Sequence, residues 1–171
     1  FFAARLTEPD IFQHAFWGFI AFSFTASAVY VLNDLVDAVQ DRNHPDKCRR
    51  PIASGAISQT QGVMIGAILL TCGLGLAFFL RFEMLVYSLL YFVVNVAYSL
   101  SLKHFAIVDV SLIGLGFLLR VLAGGAVTEV VVSHWLIVLT FLLALILGFA
   151  KRRGEYLVAM GESNFRKALE G

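Results

Sequence analysis

Asn33, Asp34, Asp37 and Asp41 close an apolar run that is long enough to cross a membrane. On a helix turning about 100° per residue, Asp34, Asp37 and Asp41 fall within about 60° of one another. Like charges stacked on one face repel, so a helix gains nothing structurally from this pattern. A divalent cation or a cationic substrate would offset the repulsion. Carboxylate oxygens suit Mg²⁺, which keeps several waters and shares its coordination with substrate phosphates. The polar stripe also runs backwards into the apolar segment: Ser23, Ser27, Tyr30, Asp34, Asp37 and Asp41 follow at steps of 4, 3, 4, 3 and 4, one helical face. The bland alternative, a helix cap followed by a solvated acidic turn, does not account for a polar face that continues into lipid.

Three further groups carry charge to the same region. His44-Pro45-Asp46-Lys47-Cys48-Arg49-Arg50-Pro51 follows the acidic residues directly. Lys47, Arg49 and Arg50 suit phosphate, Lys as a point charge and Arg as a bidentate fork, although basic residues here also serve as topological anchors. His44, next to Pro45, reads as a loop-ordering residue. Asp109 and Arg120 return to within about 20° on a helix and stand about 16 Å apart along its axis. Gly116 lies on that face and leaves room for a ligand. An Arg deep in a span costs at least about 2.5 kcal/mol, so it faces a cavity or a partner acid on another helix. Tyr98, Ser99 and Lys103 approach the same mouth. The last group is Lys151-Arg152-Arg153-Gly154-Glu155, a basic clamp or a set of anchors in which Glu155 pairs with Lys151.

The elements that position these residues follow from hydropathy. Hydrophobic residues make up 59% of the 171, with sixteen Phe and only three Pro, and the mean hydropathy is +0.81. That composition is of a helical membrane protein. Five spans are expected at Ile11–Leu32, Gly62–Leu80, Met84–Leu100, Ile107–Val127 and Trp135–Ala150, each near the length that crosses about 30 Å of hydrocarbon. Residues 33–58 read as a long polar loop that opens with the acidic turn. No run alternates with period two, so a β-barrel is not expected. Short links between spans predict an antiparallel bundle, taken as a single transmembrane domain over 1–171. Cys48 and Cys72 have no metal-ligand neighbours and read as free thiols. The chain opens at Phe1 and shows no signal peptide; it reads as an internal portion of a longer protein.

Residues 34–58, the link at Lys103 and segment 151–171 lie on one side and hold four, one and five Lys/Arg, against only Arg5 and Arg81 on the other. By the positive-inside rule the first side is cytoplasmic, and every charged cluster above opens there. No nucleic-acid partner is expected.

Asn33-Asp34-x-x-Asp37-x-x-x-Asp41 closing a membrane helix resembles the first aspartate-rich motif of the UbiA superfamily of intramembrane prenyltransferases. The whole chain fits that fold from its second helix to just past its sixth. The resemblance implies an all-α, UbiA-like polytopic bundle of nine helices, of which three or four lie outside this chain. Ordinary members carry a second Asp-rich motif after the sixth helix. Here Lys151 to Glu155 takes that place, with three cations and one acid. That departure, with His44-Pro45-x-Lys47-x-x-Arg50-Pro51, Tyr98-Ser99-x-x-Leu102-Lys103, Asp109-Val110 and Gly116-Phe117-x-x-Arg120, is similar to the decaprenyl-phosphate phosphoribosyltransferase branch. The branch implies a polyprenyl phosphate acceptor, phosphoribosyl diphosphate as donor, Mg²⁺, and a multi-pass protein of a bacterial inner membrane.

The resemblance, together with the charges, implies the following roles. Asn33, Asp34, Asp37 and Asp41 hold Mg²⁺ on the donor's diphosphate. Asp37, Asp41, Lys103 and Arg120 are the expected catalytic set. Lys47, Arg49, Arg50, Tyr98, Lys103, Asp109, Arg120, Lys151, Arg152 and Glu155 are expected to bind substrate. Two other readings remain. One is a prenyltransferase moving a polyprenyl group from its diphosphate to an aromatic acceptor, which needs a second acidic site. The other is a cation transporter with Asp34, Asp37, Asp109 and Arg120 along its route, but the acidic motif is not repeated.

Overall fold

The computed structural model describes residues 9–100 and 106–169, with the side chains of 106, 107, 155, 158, 159 and 161–169 outside the description. Lys103 and the Glu155 side chain, both expected at the site, therefore lie outside the described residues. Among the described residues the elements are α1 (Pro9–Arg42), a 3₁₀ turn (Lys47–Arg49), α2 (Gln59–Leu80), α3 (Phe82–Leu100), α4 (Ala106–Thr128) and α5 (His134–Leu169), with no strand. All 5 helices are long and apolar enough to cross a membrane. The expected all-α, five-span architecture is the one observed.

Two boundaries differ from the sequence reading. Helix α1 does not give way to a loop after Leu32 but runs on to Arg42. Its 34 residues extend about 51 Å, well beyond the hydrocarbon core of about 30 Å, and the surplus length carries Asn33, Asp34, Asp37 and Asp41. Helix α5 likewise continues through Lys151 and Arg152 instead of ending at Ala150. A polar sequence past the lipid boundary can stay helical, because the backbone bonds remain internal and the side chains meet water or protein.

Arg81 alone separates α2 from α3, and residues 129–133 join α4 to α5. Such short links make neighbours antiparallel. The C-terminal ends of α1, α3 and α5 thus share one face with the N-terminal ends of α2 and α4. On the opposite face Arg81 pairs with Glu129 and ties the two short links together. Helix α1 packs along α2, α3 along α4 and α4 along α5, while α1 also reaches α3 and α4. Ala21, Phe22, Val29, Ala77, Met84, Tyr91, Leu119, Ala123 and Val127 form the buried centre.

Lipid tails are as apolar as Leu, so close packing rather than water exclusion holds such helices together. Small residues permit that approach. A Cβ built at Gly73 of α2 would stand 2.8 Å from the Thr25 backbone nitrogen and 2.9 Å from the Ala21 carbonyl oxygen of α1, whereas one at Gly75 would meet nothing within 4 Å. The backbone atoms cannot step aside as a flexible side chain would.

The segment after α1 folds back on it. The Arg42 Nε donates to the Ala53 carbonyl at 3.2 Å, and Ile52 and Ala53 are buried. His44 Nδ1 accepts from the backbone N–H groups of Asp46 and Lys47 at 3.2 and 3.3 Å, which is the loop-ordering role its place before Pro45 suggested. Ser58 and Gln61 then cap α2 reciprocally.

The glycine contacts give a paired test. Gly73→Ala should destabilise the bundle by about 1–3 kcal/mol, while Gly75→Ala should stay within about 0.5 kcal/mol. Denaturant unfolding of the two variants in mixed micelles measures the difference.

Candidate functional site

The surplus length of α1 brings its carboxylates against the returning loop. Arg50 closes the 3₁₀ turn with φ −61° and ψ 144°, the extended conformation that Pro51 imposes on the residue before it. From there its Nη1 donates to Asp34 Oδ1 at 3.1 Å and to Asp41 Oδ2 at 2.9 Å. One nitrogen therefore meets two carboxylates that belong to one helical face. The Asp41 side chain is only 5% exposed, against 38% for Arg50. Leaving so buried a carboxylate without a cation would cost about 3–5 kcal/mol. Lys47 and Arg49 are exposed on the same turn.

Asn33 is tied from the other side. The Ser99 hydroxyl, buried at the end of α3, reaches the Asn33 side-chain oxygen and also lies 2.8 Å from the Asn95 carbonyl. Ser99 was noticed in the sequence only as a neighbour of the mouth. Its role as the anchor of Asn33 depends on a contact 66 residues apart, which periodicity within one helix cannot reveal.

Among the described residues, no three His, Cys, Asp or Glu side chains are gathered tightly enough to hold a metal unaided. That arrangement still fits Mg²⁺, which commonly takes one or two carboxylates and completes its shell with water and substrate phosphate. Asp34 and Asp41 converge on one cationic nitrogen and offer the hard oxygen donors the ion prefers. Asp37 lies on the same helix one turn from both and is half-buried.

Asp109 and Arg120 share a face of α4, as their spacing implies, but Asp109 finds its cation elsewhere. It does not lean on Arg120 of its own helix. Instead Arg152 of α5 grips its Oδ2 through both Nε, at 2.7 Å, and Nη2. Asp109 is 7% exposed and the Arg152 side chain 38%, so the contact joins a nearly buried acid on α4 to a partly exposed cation on α5. The Tyr98 phenol sits against Asp109 and lies within electrostatic reach of Arg152 and of Asp37. Tyr98 thus sits beside Asp109, in the field of both the acidic end of α1 and the cationic end of α5. Lys151 is exposed beside them.

Arg120 has three aromatic rings where a partner acid was one of the expectations. Its guanidinium carbon is 5.5 Å from the Phe22 centroid, 5.5 Å from Phe117 and 5.9 Å from Tyr91. Ring faces of this kind stabilise a cation by about 0.5–2 kcal/mol. Arg120 and Tyr30 also line two cavities. The smaller, 170 Å³, includes Asn33, Asn95 and Tyr98. The larger, 480 Å³, runs along Ser23, Ser27 and Gly124 between α1 and α4. The membrane-side half of the α1 stripe, Ser23, Ser27 and Tyr30, therefore faces these cavities, which share Tyr30 and Arg120, while Asp34, Asp37 and Asp41 line neither.

These features agree with what the chain is similar to. It belongs to the UbiA prenyltransferase family, whose model matches residues 1–153. The decaprenyl-phosphate phosphoribosyltransferase of Mycobacterium tuberculosis is 31% identical over 167 residues, 97% of this chain and 55% of that protein. The enzyme of the same name from Mycolicibacterium smegmatis is 31% identical over 153 residues, 89% of this chain and 48% of that protein. The chain spans about half the length of the curated relatives it matches. A solved UbiA homolog from Archaeoglobus fulgidus, bound to DMAPP and Mg²⁺, has a TM-score of 0.72 at 23% identity, over 78% of this chain and 49% of that one, which shows the shared fold. The protein is a multi-span membrane protein of this family.

The Asp109–Arg152 partnership is measurable. In a double-mutant cycle, D109N and R152Q should show a coupling of about 1–3 kcal/mol. D109N and R120Q should add independently to within about 0.5 kcal/mol. Unfolding free energies of the single and double variants supply both numbers.

Proposed function

We propose that the protein containing this chain transfers 5-phosphoribose from phosphoribosyl diphosphate to a polyprenyl phosphate and releases diphosphate. The observation that carries this reading is the occupancy of the α5 exit: cations stand there, with Arg152 fixed on Asp109, where a second acidic metal site would serve a prenyl diphosphate. The named similarity to decaprenyl-phosphate phosphoribosyltransferases supports it. Asp34, Asp37 and Asp41, with Asn33 held by Ser99, would hold Mg²⁺ on the donor. When bound, that ion supplies charge neutralisation for the departing diphosphate.

The remaining steps belong to side chains. A lipid phosphate oxygen forms the new bond to ribose C1 as the C1–O bond to diphosphate breaks, and the diphosphate departs with the electron pair. In-line attack inverts C1. The acceptor is already an anion, so no general base is required, and none of the histidines is asked to act as one. Lys103, Arg120, Lys151 and Arg152 would position the lipid phosphate and the donor's 5-phosphate, with Lys47, Arg49 and Arg50 on the diphosphate side. Tyr98, beside Asp109, would complete the substrate-binding set together with Asp109 and Glu155. We place the site on the cytoplasmic face of a bacterial inner membrane, following the Lys/Arg distribution.

Membranes carrying the protein, incubated with ribose-labelled phosphoribosyl diphosphate and polyprenyl phosphate, should move label into the lipid fraction in a Mg²⁺-dependent manner. Label that stays aqueous, with transfer instead from a polyprenyl diphosphate to an aromatic acceptor, would replace this reading with the prenyltransferase one. Asp37→Ala should lower turnover about 10²–10³-fold at unchanged expression and melting temperature.

A further inference from the structure

We propose that Arg50 is a displaceable internal counter-ion. Its guanidinium holds the cation position between Asp34 and Asp41 in the donor-free protein and yields it only when metal and a diphosphate arrive together. The proposal rests on the metal reading above and adds what governs access to that site.

Its geometric basis is the sharing of one nitrogen. Nη1 lies 3.1 Å from Asp34 and 2.9 Å from Asp41, so the guanidinium stands on the point where those two carboxylates converge. A metal ion drawn by the same oxygens must take that point from it. Two cations cannot share it without meeting at contact distance. The mobile partner is also identifiable. Asp41 is almost fully buried on a helix, while the Arg50 side chain is 38% exposed.

The Arg50 backbone need not move for the side chain to leave. Its N–H donates to the Lys47 carbonyl at 3.0 Å, and its carbonyl accepts from Ser54 at 2.8 Å. Pro51 holds the residue extended. Rotation about side-chain bonds is enough, and a planar guanidinium released from carboxylates is suited to bidentate capture of a phosphate.

Two consequences follow. Metal alone must push a cation away from its only described anions, so donor-free binding is weak. Metal with diphosphate gives that cation a new anion, so the two ligands bind cooperatively. The acidic face is never left uncompensated, and the site does not fill with stray divalent ions in the absence of donor.

The test uses the purified protein in lipid nanodiscs, stripped with EDTA and free of donor. Mn²⁺ is titrated and its free concentration followed by electron paramagnetic resonance. Arg50→Gln should bind Mn²⁺ at least about tenfold more tightly than wild type, since only the competitor has been removed. Its melting temperature in EDTA should fall below that of wild type and recover on adding Mn²⁺. Arg50→Lys, which keeps the charge on a shorter side chain that reaches the two carboxylates less well, should bind Mn²⁺ with an affinity between the two. An R50Q affinity no higher than wild type, or an R50K affinity equal to wild type should R50Q not fold, overturns the counter-ion while leaving the metal site, provided Asp37→Ala abolishes binding. Absence of Mn²⁺ binding in every variant overturns the metal reading and this proposal together.

Discussion

Carboxylates at steps of three and four on one face of a helix must be neutralised, and that requirement organises this end of the molecule. Helix α1 outlasts the bilayer so that its acidic face can emerge from lipid. The following loop, residues 43–58, turns on the 3₁₀ segment and returns a guanidinium to the acids. Buried Ile52 and Ala53, with the Arg42 bond to the Ala53 carbonyl, hold that return in place. Without a cation between them, Asp34 and Asp41 would repel across a partly desolvated gap, where charge interactions are stronger than in water.

The same logic of compensated charge runs through the rest of the bundle. Asp109, nearly buried at the start of α4, is matched by Arg152 arriving from α5. Arg120, within the span, is matched by ring faces rather than by an acid. The close approach of α5 to α4 at Gly148, where a Cβ would stand 2.7 Å from the Val110 side chain, brings Arg152, four residues on, to Asp109. Tyr98 connects the two charged ends, sitting against Asp109 within reach of both Arg152 and Asp37.

Much of this was legible in the sequence, for definite reasons. Hydropathy locates each span because lipid demands long apolar helices, and a helical repeat locates the polar stripe of α1 because it lies on one element. Contacts between elements were less accessible. Asp109 and Arg120 share a face by count, yet about 16 Å of helix axis separates them, and Arg152, 43 residues away, is the nearer cation. Arg50 was read as a phosphate ligand from its type and place, but its grip on Asp34 and Asp41 arises from a loop whose path no periodicity encodes. Hydropathy ends α1 at Leu32 because polar residues after an apolar run look like a loop, whereas the spacing of the polar stripe already carries the helix to Asp41, as the structure does.

The account stands most directly on whether the acidic face of α1 receives a diphosphate through a divalent ion. Calorimetric titration of phosphoribosyl diphosphate into the protein in nanodiscs, once with Mg²⁺ and once with EDTA, measures this without turnover. Saturable binding in Mg²⁺ that disappears in EDTA is the predicted result. Equal binding in the two buffers, or none in Mg²⁺, would contradict it.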